Sequence, residues 1–377
     1  LYEEEGAYTF SLNYLNIVLL LKLFISQCFA YAKAGKRHKT NNSANAYMVI
    51  IGVCLMSKHH GRFSLRTLEK FLLRTLRSLP VRSAHAAWMD VIHSTPHIDA
   101  MLRSKGDYQT RHLQSYMHRR WSAAQKLDTL RTHVDFMQQN IHSSHHAALY
   151  GADDARYGEP AASGEGIVLM QWEMKDTAWR LMLLRAQHNK EGELQLSLQD
   201  SEGHEVYLLV FSVGHDPKHP EHLSLYIGCL QGARPENGGT ALINAFYKQH
   251  HGLRAQGLLM TALYAFAETF GIERIRGIAD GHTINSRYRT KIKTSYDTFW
   301  QECHAEQQEE GWFLLPEQEE KRDIETVKSK HRSAFRKREA WREDARLNVL
   351  AALMGLRSPA DSAAEPQVAA MREASVA

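Results

Sequence analysis

The chain has 377 residues, of which 44% are hydrophobic, 23% charged and 9% aromatic, an ordinary globular composition with apolar material for one large core or two smaller ones. Its formal charge of +4 hides an asymmetry: residues 56–146 carry 14 Lys/Arg against 6 Asp/Glu, which bears on partners and solubility but not on the fold. The four cysteines (Cys28, Cys54, Cys229 and Cys303) are scattered without a CxxC pair, which argues against a zinc knuckle or disulfide framework and for a reducing, cytoplasmic compartment.

Residues 1–55 read as an extension set apart from the rest. Lys22 and Gln27 interrupt the apolar stretch 17–32, which falls short of the roughly 20 residues a spanning helix needs. Glu3, Glu4 and Glu5 stand where a signal peptide would be basic. The expectation here is translated upstream sequence, with a natural start near Met48 or Met56.

Residues 56–150 read as a basic helical domain. Leu65, Leu68, Leu72, Leu76 and Leu79 recur at steps of three and four, placing them on one face of a helix over 62–79. Arg66, Lys70, Arg74 and Arg77 line another face, and Pro80 stops the helix. Such a helix packs its leucines into its own domain or lies on an anionic membrane surface, peripheral to the inner membrane. Further helices are expected over 84–93 and 122–139, the latter opened by Ser122 as N-cap. Tyr108, Tyr116 and Trp121 lie among Arg111, Arg119 and Arg120, a weak nucleic-acid signal without any helix-turn-helix or finger pattern to support it, so nucleic acid is not the expected partner.

A Gly/Ala-rich run with Pro160 over 151–166 predicts a boundary, followed by an α+β domain over 160–316. Apolar and β-branched segments at 178–186, 193–199, 205–213 and 222–231, separated by Gly192, the 200–203 turn and Asp216-Pro217, predict an antiparallel meander. Helices follow at 239–250 and 254–270, the second stopped by Gly271, then a strand at 272–279 and a weaker helix at 284–293. The fold class is therefore α+β: a helical N-terminal region, then a mixed, mostly antiparallel sheet with flanking helices. Residues 317–357 read as a charged surface helix and 358–377 as a disordered tail.

Several segments resemble the VirK/YbjX family of Gram-negative bacterial proteins. They are Leu225-Tyr226-Ile227-Gly228-Cys229-Leu230-Gln231-Gly232, His251-Gly252-Leu253-Arg254, Tyr296-Asp297-Thr298-Phe299-Trp300, Lys328-Ser329-Lys330-His331-Arg332, and the YMHRRW run from Tyr116 to Trp121. The resemblance spans about residues 60 to 345. It implies a factor in virulence, cell-envelope maintenance and resistance to antimicrobial peptides, with envelope or surface proteins as partners and no agreed catalytic residues.

Within 223–293, the strand, the turn, the helix opening Gly252-Leu253-Arg254-Ala255-Gln256-Gly257 and the following strand are also similar to the acyl-CoA-binding core of the Gcn5-related acetyltransferases. That likeness implies an acyltransferase-like fold and a pyrophosphate held by Gly252, Arg254 and Gly257, with acyl-CoA as cofactor. A helix N-terminus offers unpaired N–H groups and a positive dipole end to such an anion. The likeness is partial: an extra helix precedes the loop, and Asn285, Tyr288 and Tyr296 do not keep the family's spacing. Glu236, His251 and His282 are polar candidates for a general base, and spacing chooses none of them. A non-catalytic adaptor for surface-protein expression or export stands beside the enzyme reading. The 22 histidines include two clusters, His142/His145/His146 and His215/His219/His222, which read as solvated residues rather than metal ligands. Tyr296, Phe299 and Trp300 read as core.

Overall fold

The computed structural model describes residues 81–94, 108–150, 165–186, 190–285 and 295–358. All belong to the second of two units into which the chain divides, Phe71–Ala377. The basic helix expected over 62–79, the extension 1–55, most of the helix expected at 284–293 and the tail from 359 lie outside the described residues.

Seven helices are described: α1 (Arg82–Ser94), α2 (Ala123–Asn140), α3 (His146–Tyr150), α4 (Gly239–Gln249), α5 (Ala255–Thr269), α6 (Tyr296–Glu302) and α7 (Arg332–Met354). Eight strands, β1 (Ile167–Met174), β2 (Thr177–Arg185), β3 (Leu194–Asp200), β4 (Glu205–His215), β5 (Leu223–Gly232), β6 (Arg274–Ile278), β7 (Glu306–Gln307) and β8 (Trp312–Leu314), form one sheet in the order β1-β2-β3-β4-β5-β6-β8-β7. Every pairing is antiparallel except β5 with β6, so the α+β expectation holds.

The four expected strands of the meander are β2 to β5. The sequence reading missed β1, because an edge strand needs only one buried face and Gln171 and Glu173 dilute its apolar content. Lys175 and Asp176, both at positive φ, turn β1 into β2 and bring Trp172 opposite Trp179.

Alternation dictates how the sheet buries itself. Leu194, Leu196 and Leu198 of β3 and Leu209, Phe211 and Val213 of β4 share a core with Leu258, Leu259, Ala262 and Phe266 of α5. Phe266 meets Phe211 edge-on at 5.1 Å. Helix α2 joins the same core: Phe136 lies 5.9 Å from Phe266 and 5.3 Å from Phe270. Its His133 ring accepts the Val213 amide at 3.3 Å, on the part of β4 that extends beyond β3. The helical segment before 151 and the sheet after 166 thus share one core.

Helix α7 begins at Arg332, not at Glu317. Residues 317–323 are polar throughout, and short 3-10 turns at Ile324–Thr326 and Ser329–His331 precede the helix. Nor is α7 merely a solvated rod: Phe335, Ala345, Val349 and Leu353 are buried, and Trp341 packs 5.5 Å from Trp172 and 4.8 Å from His250. Among the described residues no helix is long and apolar enough to cross a membrane.

Candidate functional site

The parallel pair β5–β6 is where the sheet opens. Pairing runs only from Ser224–Arg274 to Ile227–Gly277. At Gly228 the register against β4 shifts: Phe211 faces Ile227 while Val210 faces Cys229. A Cβ on Gly228 would stand 2.0 Å from the Glu191 carbonyl oxygen, so only glycine fits this bulge. Beyond it, Cys229 to Gly232 remain paired with β4, whereas β6 ends at Ile278. The two strands part at their carboxyl ends, the place where sheets with parallel strands receive ligands.

Helix α6 is wedged against this opening. Trp300 donates its indole N–H to the Ile278 carbonyl at 2.9 Å and packs so closely on Gly277 that a Cβ there would fall 2.4 Å from its ring. Tyr296 stands in the gap itself. Its hydroxyl accepts the Leu230 amide at 2.9 Å and donates to Cys229 Sγ at 3.6 Å. The packing role read for Tyr296, Phe299 and Trp300 is what burial shows, and for Tyr296 a polar contact at the strand gap is added to it. Asp280 holds the start of α6, accepting from Ser295 Oγ at 2.6 Å and from the Tyr296 amide at 3.1 Å.

Helix α5 opens beside the end of β5. Gln256 in its first turn donates to Tyr207 Oη at 3.0 Å, and Tyr207 pairs with Gly232, the last residue of β5. His251 and Gly252, at φ 55° and 84°, reverse the chain after α4 so that Arg254 becomes the N-cap of α5. The Arg254 side chain makes no cap hydrogen bond, and among the described residues no group accepts the first-turn amides of Ala255, Gln256 and Gly257. These are the orphan donors of a helix start.

Gly252, Arg254 and Gly257, the three residues predicted to seat a phosphate, line one cleft of about 810 Å³. Its opposite walls come from Phe299 and Glu302 of α6 and Cys303 just after it, from the segment around Glu319, and from Arg338 and Arg342 of α7. Gly252 has the positive φ that calls for glycine. Gly257 does not, since a Cβ there would meet only Leu253 Cδ1 at 3.7 Å. The cleft is not a bare cationic hole. Arg254 Nη1 lies 2.6 Å from Glu302 Oε2, and Arg342 binds Glu319 and donates to Thr261 Oγ1 at 2.8 Å. Burial lowers the Arg342 pKa, and both Glu319 and Glu339 lie against its guanidinium. Burial pushes the Cys303 thiol up to about 11, so it stays protonated near neutral pH and is no ready nucleophile.

None of the three general-base candidates lines the cleft. Glu236 is exposed beside Arg234, His251 is exposed in its turn, and His282 stacks on His118 at 4.9 Å. Asn285 donates to Glu191 at 3.0 Å, away from the cleft. Of the interleaved aromatic and basic residues before α2, Trp121 packs on Tyr226 and Trp312, each at 5.5 Å, Arg111 is buried on Glu193 at 2.6 Å, and Arg119 and Arg120 are exposed, Arg119 donating to the Gly281 carbonyl at 3.1 Å. His146 is buried on the carbonyls of Met137 and Ile141, while His215, His219 and His222 pair with Asp128, Glu221 and Glu273 at 3.4–3.7 Å. Among the described residues no group of three or more His, Cys, Asp or Glu is placed to hold a metal ion. Sequence reasoning missed Glu302, Glu319 and Arg342; a charge run is the only signal they leave, and it reads as a solvated face.

A mixed α+β sheet whose one parallel pair parts at its carboxyl end, with an uncapped helix start opening onto a cleft beside it, is the class of protein these features define. A protein-family model described as "Protein of unknown function (DUF535)" matches residues 63–351, and the chain belongs to that family. This is the VirK/YbjX family indicated by the sequence motifs. The chain is 28% identical over 296 residues to uncharacterized protein YbjX of Escherichia coli K12, covering 76% of this chain and 83% of that protein. It is 30% identical over 152 residues to an uncharacterized protein of Haemophilus influenzae Rd (39% of this chain, 48% of that protein). A second uncharacterized protein of that organism is 24% identical over 275 residues (71% and 84%).

Proposed function

We propose that the cleft at the start of α5 binds an acyl-CoA and that the protein transfers the acyl group to an amine or hydroxyl acceptor. The observation that carries this reading is the parting of β5 and β6 at Gly228 beside the first-turn amides of α5, which among the described residues no group accepts. The pyrophosphate would meet those amides and Arg254; Gly252 would let the backbone come close. The thioester would run between α5 and α6 toward the strand gap, where the Leu230 amide donates to the Tyr296 hydroxyl. In the transfer the acceptor's nucleophile bonds to the thioester carbon, the carbon–sulfur bond breaks with coenzyme A leaving as its thiolate, and the proton given up by the acceptor passes through a general base to that sulfur, releasing free coenzyme A. By the family likeness, the activity would serve cell-envelope maintenance, virulence and resistance to antimicrobial peptides, from the cytoplasmic side of the inner membrane.

A second reading, a non-catalytic adaptor for surface-protein expression or export, is favoured by one observation: Arg254 and Arg342 already have carboxylate partners. Titration with CoA and with acyl-CoAs separates the two. If the cleft is a CoA site, ligand at 100 times its Kd stabilises the fold by about 2.7 kcal/mol, read as a rise in melting temperature, and Arg254→Ala removes most of that rise. No stabilisation by any acyl-CoA would leave the adaptor standing.

A further inference from the structure

We infer that residues 317–323 form a lid over the cleft, latched by carboxylates that occupy the places an anionic ligand would take. This rests on reading the cleft as an acyl-CoA site and concerns how that site opens. The segment is anchored by packing only at its base, where Leu315 is buried and Tyr264 donates to the Pro316 carbonyl at 3.0 Å. From Glu317 to Asp323 every side chain is polar and every residue is exposed except Glu319, which is half-buried. What holds this stretch down is therefore charge. Glu319 binds Arg342 of α7 and accepts from Thr261 of α5 at 2.9 Å; Glu320 faces His304 at 3.4 Å, and Lys321 reaches Glu343 at 3.1 Å. Across the cleft, Glu302 engages Arg254 in the same way.

Glu302 and Glu319 line the same cleft as Arg254 and Arg342, so an anion entering it competes with those carboxylates for the two guanidiniums. A phosphate that takes Arg342 breaks its ion pair with Glu319 and leaves that carboxylate only the Thr261 hydroxyl of α5. With the pair goes the tie between Glu319 and α7, and Lys321–Glu343 is left to hold the segment to that helix. Ligand entry and lid release are then one exchange of ion pairs, and the latch lowers the affinity of the closed form by the competition it offers.

The two halves of the latch give opposite signs, which tests the idea. Glu319→Gln and Arg342→Gln both break the Glu319–Arg342 pair, so both should raise amide hydrogen exchange in residues 317–323. Coenzyme A, titrated calorimetrically into the full chain, should bind Glu319→Gln roughly fivefold more tightly than the unaltered protein, and Arg342→Gln roughly fivefold more weakly. Glu302→Gln should also tighten binding, and with Glu319→Gln it carries the test if Arg342→Gln does not fold. Equal or weaker binding by Glu319→Gln, or unchanged exchange in 317–323, overturns the latch while leaving the cleft a CoA site. No saturable binding of coenzyme A by the unaltered chain or by either Glu variant overturns the site and the latch together.

Discussion

Gly228 and Asp216 show what single residues are asked to do here. At Gly228 an added methyl would overlap a backbone oxygen, which cannot rotate away as a side chain could. Gly228→Ala should lower stability by about 2 kcal/mol or more, read from the denaturant midpoint; an unchanged midpoint would mean that the bulge is not held as described. Asp216 is fully buried and works as a clamp. It accepts from Arg276 at 2.6 Å, from Ser224 Oγ at 3.2 Å and from the amides of Lys218 and His219 at 2.9 and 3.0 Å. Burial alone would raise its pKa, but Arg276 and the two amides outweigh it and hold the carboxyl at about 2. Asp216→Asn keeps the shape and strands the Arg276 charge, so it should cost about 3 kcal/mol. Because Ser224 and Arg276 lie on β5 and β6, that variant should loosen the parallel pair first, visible as faster amide exchange in β6.

At the scale of elements, helix α2 is the clearest case of local chemistry setting a boundary. Ser122 accepts the Gln125 amide at 3.2 Å and Gln125 Oε1 accepts the Ser122 amide at 2.9 Å, a reciprocal capping box. Ser122→Ala should cost about 1 kcal/mol, measured by thermal or denaturant unfolding. Helix α5 is the opposite case, a start left without a side-chain cap. Helix α7 shows why charge runs mislead. Its sequence is rich in Lys, Arg and Glu, yet Ala345, Val349 and Leu353 recur at a step of four and give it a buried seam. The segment 317–331 has similar charge but no such seam, and it does not continue the helix.

For the whole molecule, buried histidine governs the response to acid. His112, His118, His133 and His250 are each at most 3% exposed. Burial is the largest cause in every case, and it lowers His112 and His133 to about 3 and His118 and His250 to about 4. His250 illustrates the constraint: its Nδ1 faces the Phe246 carbonyl at 2.8 Å and its Nε2 accepts the Trp172 indole N–H at 2.9 Å, an arrangement made for the neutral ring. Since the folded pKa values lie below the ordinary 6.5, the unfolded chain takes up more protons below that pH. Stability is then fully present above about pH 6.5 and falls as the pH drops toward 4, by up to about 2 kcal/mol per ring at pH 5. Denaturation at pH 7.5 and pH 5 should show a lower midpoint at pH 5; equal midpoints would contradict the neutral burial of these rings. Asp216 adds its own loss only lower, between about pH 4 and 2.

Periodicity and local capping were enough to read most elements: the strands β2 to β5 from their apolar runs, α5 from Leu258, Leu259, Ala262 and Phe266, its end from Gly271, and the start of α2 from Ser122. These follow from interactions within a few residues, which a linear sequence displays. The glycine-flanked opening of α5 was legible for the same reason. What surrounds that opening was not. The parting of β5 from β6, the Tyr296 hydroxyl in the gap and the carboxylates of Glu302 and Glu319 on Arg254 and Arg342 join residues 23 to 66 positions apart. Only the packing of α6, α7 and the sheet around α5 brings such groups together, because ion pairs and strand register are chosen by three-dimensional proximity and leave no period in the chain.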